Sequence, residues 1–517
     1  MSAEHFLEIA CQKLPPVNRA IQEHGDKPLS AYLQKFILKP LPSFQPRDDF
    51  FDVIYRYAAP LLGEIIAKKA VSDLEKCPVI LTSSHLGIEY FSQSVHSMLL
   101  FSINAVKRGF PAATVPVFSF GNVPLNNLTY PRGVLLYHVS IGNLEHMPLK
   151  LPVFPDSFKR RLAGTAPCFD RNMISRAGSR LKKMLQEKQI HPDTADVMDR
   201  IFQEDYNADL VLSLPDYSQQ TVVMNTRIWK KLFSEPDAGP ELIYLEIEKI
   251  TAMLLSYDLK NPESLARCVM FDPALRKEIL DHLDGVNGCW IKKSLAQRSG
   301  GDNTQQSLSE GCGTVFFWGI DEAGRRIPLS IETDKYNREI LAGTDDRHKR
   351  FELPCIPESI LEYLENRRLI PSLFTCFLTL SFARGLVCTG GYFQSEYLPA
   401  IQRGLATALH SSGYDYAADF VSGVPTHFYL SGMLAVMTKM ADQYLIPAGP
   451  AEIIAGGGIN AKNIEQMLSL TVREAHIAGL SETVPDVLTS GELKAGAWKK
   501  ELAADCFRLL QGKVAVR

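Results

Sequence analysis

The chain has 517 residues, 46% of them hydrophobic and 22% charged, with a net charge of -3. At about 150 residues per domain that is room for two to four units of an ordinary globular protein, and the near-neutral balance argues against a protein built to coat nucleic acid, which needs a basic surface. The opening "MSAEHFLEIACQKLPP" lacks the basic start and apolar centre of a secretory signal. Apolar runs such as "SMLLFSINAV" fall short of the roughly 20 residues that span a bilayer, so a cytoplasmic protein without a transmembrane segment is expected.

In chain order, residues 1–50 read as an N-terminal helical arm ending in the turn-rich "LKPLPSFQPRDD". An α/β domain is expected over 51–240. It holds helical periodicity around Pro60, a strand at 78–82, a helix from about 85 to 108 closed by Gly109, and strands in "AATVPVFSF" and "GVLLYHVS". Helices follow over 171–206, then a short strand in "ADLVLSLPDY". Residues 241–517 read as a helix-rich α/β portion. It begins with helices over 240–283 and a polar, glycine-rich loop at 298–313, followed by two strands about the turn Asp321–Gly324. Its later helices are broken by "CTGGYF", "VSGVP" and "AGGGIN". No repeat of fixed period is visible. The expected fold is α/β, a mixed sheet flanked by helices with a helix-rich C-terminal half. The ten cysteines are scattered singly with no C-x-x-C, as suits reduced, mostly buried thiols. Cys388, in an apolar run, reads as one of these and not as a nucleophile.

The chemistry concentrates in "TSSHLGIEYFSQSVH", residues 82–96. If a helix begins near His85, a rotation of about 100° per residue puts His85, Glu89, Gln93 and His96 on one polar stripe beside Ile88, Phe91, Val95 and Leu99. Three outcomes are open. The stripe is solvated and the protein only binds or scaffolds; or His85 is a general base supported by Glu89; or His85, Glu89 and His96, with His138 from the strand "GVLLYH", hold zinc or iron in a hydrolase or oxygenase.

A histidine closely following a strand, with an acidic residue after it, resembles two acyltransferase families. Glycerophosphate- and lysophosphatidate-type acyltransferases carry H-x-x-x-x-D there, then an arginine-containing segment, then a phosphate-binding F-P-E-G-T-R. Here "NVPLNNLTYPRG" with Arg132 and then "FPDSFKRR" (154–161) follow in similar order. The spacing is H-x-x-x-E, however, and the last segment lacks the glycine and threonine. The chloramphenicol-acetyltransferase-like group carries H-x-x-x-D, nearer to the spacing from His85 to Glu89, and "ADFVSGVP" around Asp419 is similar to its D-F-G-W-G segment. Both resemblances imply acyl transfer with His85 as base. The first also implies that Arg132, Lys159, Arg160 and Arg161 bind phosphates of an acyl donor or acceptor, and the donor expected is a coenzyme A or acyl-carrier-protein thioester.

The loop between the two strands gathers Asn122, Asn126, Asn127, Tyr130 and Arg132 where α/β proteins hold small-molecule substrates. It reads either as substrate-binding or as an asparagine-rich turn. "PAEIIAGGGINAKNIEQML" (450–468) reads as strand, glycines and helix, so Gly456, Gly457 and Gly458 are either a phosphate-binding turn or a plain turn with an N-cap at Asn460. An acyl- or related group-transferase is expected. The sequence does not reveal the oligomeric state.

Overall fold

The computed structural model describes residues 2–107, 114–235, 239–299, 313–440, 443–489, 491–493 and 498–516. Residues 300–312 of the loop expected at 298–313, and the helix end expected at Gly109, lie outside the described residues. The chain is α/β, with mixed sheets flanked by helices and a helix-rich C-terminal half.

The principal sheet has five strands. In spatial order they are Tyr429–Ser431, Val387–Gly391, Val79–Leu81, Thr114–Ser119 and Glu241–Glu246, and every pairing is parallel. Most of these strands are buried along their whole length, because helices cover both faces. Successive side chains therefore enter different cores. Leu81, Val117 and Tyr244 join the core containing Val95, Leu99, Met224 and Ile477. Ile80, Phe118 and Leu245 join the one containing Val53, Ile250, Leu254 and Leu405. The central strand Val79–Leu81 comes first in the chain. The next strand lies on one side of it and Val387–Gly391, some 300 residues on, lies on the other. The strand order thus reverses at Val79–Leu81, and in open parallel sheets ligands bind at the carboxyl ends of strands at such a point.

Several expectations change for physical reasons. Within residues 1–50, the helices Ala3–Lys13 and Pro15–His24 pack on the helix Val472–Val487, and Ala3, Phe6, Leu7 and Ala10 are buried. The boundary at 240 divides two paired strands, since Glu241–Glu246 lies in register with Thr114–Ser119 over six residues. "ELIYLE" was expected within a helix because a strand buried on both faces shows no alternation. "ADLVLSLPDY" contains the short helix Asp209–Leu212, not a strand. The strands about Asp321–Gly324 form the expected antiparallel hairpin, Phe317–Ile320 with Arg326–Pro328. Among the described residues no helix is long and apolar enough to cross a membrane.

The glycines at 456–458 close a helix instead of following a strand. Pro450–Ala455 is helical, and the N–H groups of Gly456, Gly457 and Gly458 donate to the carbonyls of Glu452, Ile454 and Ile453. Donors spent on a helix end cannot cradle a phosphate, so the phosphate-binding expectation for this turn fails, while Asn460 does cap the next helix. Gly458 has φ +74°, and a Cβ there would lie 2.7 Å from the Phe233 carbonyl carbon. Gly458→Ala is expected to destabilise the protein by about 2 kcal/mol, read as a lowered urea midpoint; an unchanged midpoint would show that the backbone yields freely.

Candidate active site

His85 stands just beyond the carboxyl end of the central strand. Its neighbours extend the pairing with the next strand: the Leu86 N–H donates to the Phe120 carbonyl at 2.8 Å and the Phe120 N–H to the Ser84 carbonyl at 3.0 Å. The Tyr244 hydroxyl donates to the His85 carbonyl at 2.9 Å. The backbone of His85 is thus fixed from two neighbouring strands.

The helix begins at Ser92 and not at His85. Between them, tertiary partners take backbone donors. Tyr217 Oη accepts from the Ile88 N–H at 3.3 Å, Asn225 Oδ1 from the Glu89 N–H at 2.8 Å and Tyr137 Oη from the Ser92 N–H at 3.0 Å. Backbone groups satisfied in this way have no need of a helix. The polar stripe expected of a helix over 85–96 is therefore not formed.

The ring of His85 is half-buried, with Nδ1 3.0 Å from Asn127 Oδ1 and 3.2 Å from Thr129 Oγ1. Asn127 Oδ1 also accepts from the Thr129 N–H at 3.2 Å, which fixes it as the oxygen of the amide. Nδ1 must then carry the proton and donate it to Asn127, leaving the Nε2 lone pair bare. Among the described residues Nε2 has no hydrogen-bond partner. Burial lowers the imidazole pKa from its ordinary 6.5, against the opposing pull of Asn127. A neutral imidazole of set tautomer is the form a general base requires.

The partner of His85 is thus Asn127, from the asparagine-rich loop, and not Glu89. Glu89 is buried and accepts from the Phe91 N–H through Oε1 at 3.2 Å, while Oε2 has no hydrogen-bond partner. Burial raises its carboxyl from 4.5 to about 8. Because the folded state holds that proton more tightly, Glu89 supports folding fully below about pH 4.5 and loses that support as the pH rises to about 8. Glu248 and Glu482, also raised by burial, act in the same sense. The melting temperature is expected to fall across that window. Glu89→Gln, which keeps an acceptor for Phe91, should make the fall shallower; an identical slope would count against this account.

The loop is tied to the basic segment by its backbone. Leu125 N–H donates to the Arg161 carbonyl at 2.8 Å and Asn126 N–H to the Lys159 carbonyl at 3.1 Å. The side chains are committed elsewhere. Arg132 is buried on the Phe154 carbonyl at 3.0 Å and on Asp156. Lys159 pairs with Asp156 at 2.7 Å, Arg160 with Asp346, and Arg161 donates to the Thr165 carbonyl at 3.1 Å. Asn122 is buried, with its N–H on Glu248 at 3.0 Å, and Asn126 is exposed. Tyr130 holds φ +57° beneath the Lys150 ammonium.

The groups expected of a metal site are not brought together. His96 is fully buried, with Nε2 on the Ala448 carbonyl at 2.9 Å and Nδ1 accepting the Ala435 N–H at 3.0 Å. Neither nitrogen is free for a metal, and burial lowers its pKa to about 4. His138 stacks on His191, ring centroids 4.2 Å apart. Among the described residues no group of three or more His, Cys, Asp or Glu side chains is placed to hold a metal ion. Asp419 lies on the exposed face of a helix near His410, and Cys388 is a buried thiol whose pKa burial raises.

Sequence reasoning did not single out Tyr244, Asn225, Tyr137 or Glu482. Glu482 accepts from Ser92 Oγ and Tyr137 Oη, each at 2.6 Å, and burial raises it to about 7. Around the carboxyl ends of the two central strands, Ser84 Oγ, Glu89 Oε2, Gln93 Nε2 and Thr389 Oγ1 are buried without a hydrogen-bond partner. Folded proteins leave few such groups unsatisfied, so this part of the sheet holds unspent hydrogen-bonding capacity. The chain matches no family model, no curated protein and no solved structure.

Proposed function

We propose that the protein is an acyl- or related group-transferase of the cytoplasm, with His85 as general base acting on a small-molecule acceptor and a thioester donor of the coenzyme A or carrier-protein type. The observation that supports this reading is the His85–Asn127 pair at the reversal point of the sheet, with Nδ1 engaged and Nε2 bare. Nε2 takes the proton of an acceptor hydroxyl or amine as that group attacks the thioester carbonyl. The imidazolium so formed keeps its Nδ1–H on Asn127 and returns the Nε2 proton to the departing thiolate. Lys159 and Arg160, whose side chains reach solvent, can exchange Asp156 and Asp346 for phosphates of the donor.

The test is release of free thiol from acyl-coenzyme A and acyl-pantetheine donors of several chain lengths, with and without hydroxyl and amine acceptors. Turnover by the native protein that is lost in His85→Ala is expected. Equal thiol release by the variant, or none by the native protein with any donor, would overturn the reading.

A further inference from the structure

A second site lies beyond the edge strand Glu241–Glu246, in a cavity of about 510 Å³ between the helix Ile247–Asp258 and the segment 361–371. The turn at Gly121–Asn122, whose N–H groups are both held by Glu248, stands between it and His85. Ala252, Met253, Leu361, Leu364, Leu369 and Ile370 line its length. Tyr57, Lys249 and Arg367 lie among the polar lining groups. An apolar body with a few placed polar groups, at this volume, is the usual form of a small-molecule pocket.

The charges decide what the polar end accepts. Arg367 is paired with the fully buried Glu246, and Lys249 with Asp216 at 3.1 Å. Glu248 has both oxygens on the backbone N–H groups of Gly121 and Asn122, and burial raises its pKa. The exposed rim carries Lys260 and Glu365, opposite in sign, and neither has an ion-pair partner among the described residues. The two inner cations, Arg367 and Lys249, are thus already answered by carboxylates, and a charged head entering beside them would lack a free counter-ion. Arg367 follows the helix Pro357–Glu365 with φ +53°, a left-handed conformation that glycine usually supplies at that place, and its guanidinium is set on the buried Glu246 beside the cavity.

We infer that this cavity binds an elongated apolar molecule with an uncharged hydrogen-bonding end, such as an alcohol or amide, whose polar end meets Tyr57 and Arg367. The helix beside the cavity has 12 residues, about 18 Å at 1.5 Å per residue, and a decyl chain fits within that length. The site is independent of the acyl-transfer reading, since no step at His85 is needed for binding.

The experiment is titration calorimetry of the full chain with decanamide, decanoate and decyltrimethylammonium, below the concentrations at which they form micelles. Decanamide is expected to bind at a single site, with the two charged probes roughly ten-fold weaker or more. Met253→Trp and, separately, Leu361→Trp fill the half-buried walls of the cavity and should each abolish binding in protein that melts as the native chain does. Absence of decanamide binding to the native protein would overturn the inference. So would binding that survives in a well-folded tryptophan variant, or decanoate binding at least as tightly as decanamide.

Discussion

Replacing Arg384 with alanine will lower the stability of the protein by about 3–5 kcal/mol, the cost of stranding a buried charge. All five guanidinium donors of this fully buried side chain are used. Asp258 accepts from Nη1 at 3.1 Å and Nη2 at 2.7 Å, Asp49 accepts from Nε at 3.0 Å and again from Nη2, and the Thr379 carbonyl accepts from Nη1 at 2.9 Å. Gln45 donates to the same Asp258 at 2.8 Å and takes the Leu265 N–H. Residues 45–49 are thereby joined to segments more than 200 and 300 residues away. Alanine removes the cation and leaves Asp258, 1% exposed, without its counter-charge. Lysine restores the charge but not the planar fork, so Arg384→Lys should recover only part of the loss. Equilibrium urea unfolding reads the effect. A shift for Arg384→Ala no larger than that of an exposed arginine would show that solvent reaches Asp258 once the side chain is gone.

The largest effect on activity is expected at His85. With a thioester donor that the native protein turns over, His85→Ala should lower kcat/KM by roughly 100- to 10,000-fold, the usual contribution of a positioned general base. Since the base must be neutral, kcat/KM should rise with pH through a pKa below the ordinary 6.5, in the direction that burial moves it, and then level off. Asn127→Ala leaves Nδ1 only the Thr129 hydroxyl, which can donate or accept, so both tautomers become available. A smaller loss and a displaced acid limb of the pH profile are expected. A purely structural role for Asn127 would lower the amount of folded protein without moving that limb. A pH profile unchanged in His85→Ala would assign the titration to another group.

The sequence by itself placed His85 correctly after a buried strand, because an apolar run closed by Thr82, Ser83 and Ser84 is a local signal. It also singled out the loop that holds the ring, since asparagine, proline and glycine between two strands mark a turn wherever they occur. The α/β class followed from the same kind of local pattern. What local pattern could not decide was which partner each group would find. Residues 85–91 have helical spacing, yet Tyr217 and Asn225, more than 120 residues on, take the N–H groups of Ile88 and Glu89. The stripe of His85, Glu89, Gln93 and His96 was therefore dispersed, and Asn127 became the partner of the imidazole. The strand Glu241–Glu246 was hidden because helices cover both its faces and erase the alternation that reveals a half-exposed strand. The glycines at 456–458 could equally open a helix or close one, and the choice fell to the carbonyls of Pro450–Ala455 already waiting for donors. Periodicity and turn chemistry act over a few residues and can be read from the chain; the pairing of buried polar groups is settled only when distant segments meet, because each must find a partner once water is excluded.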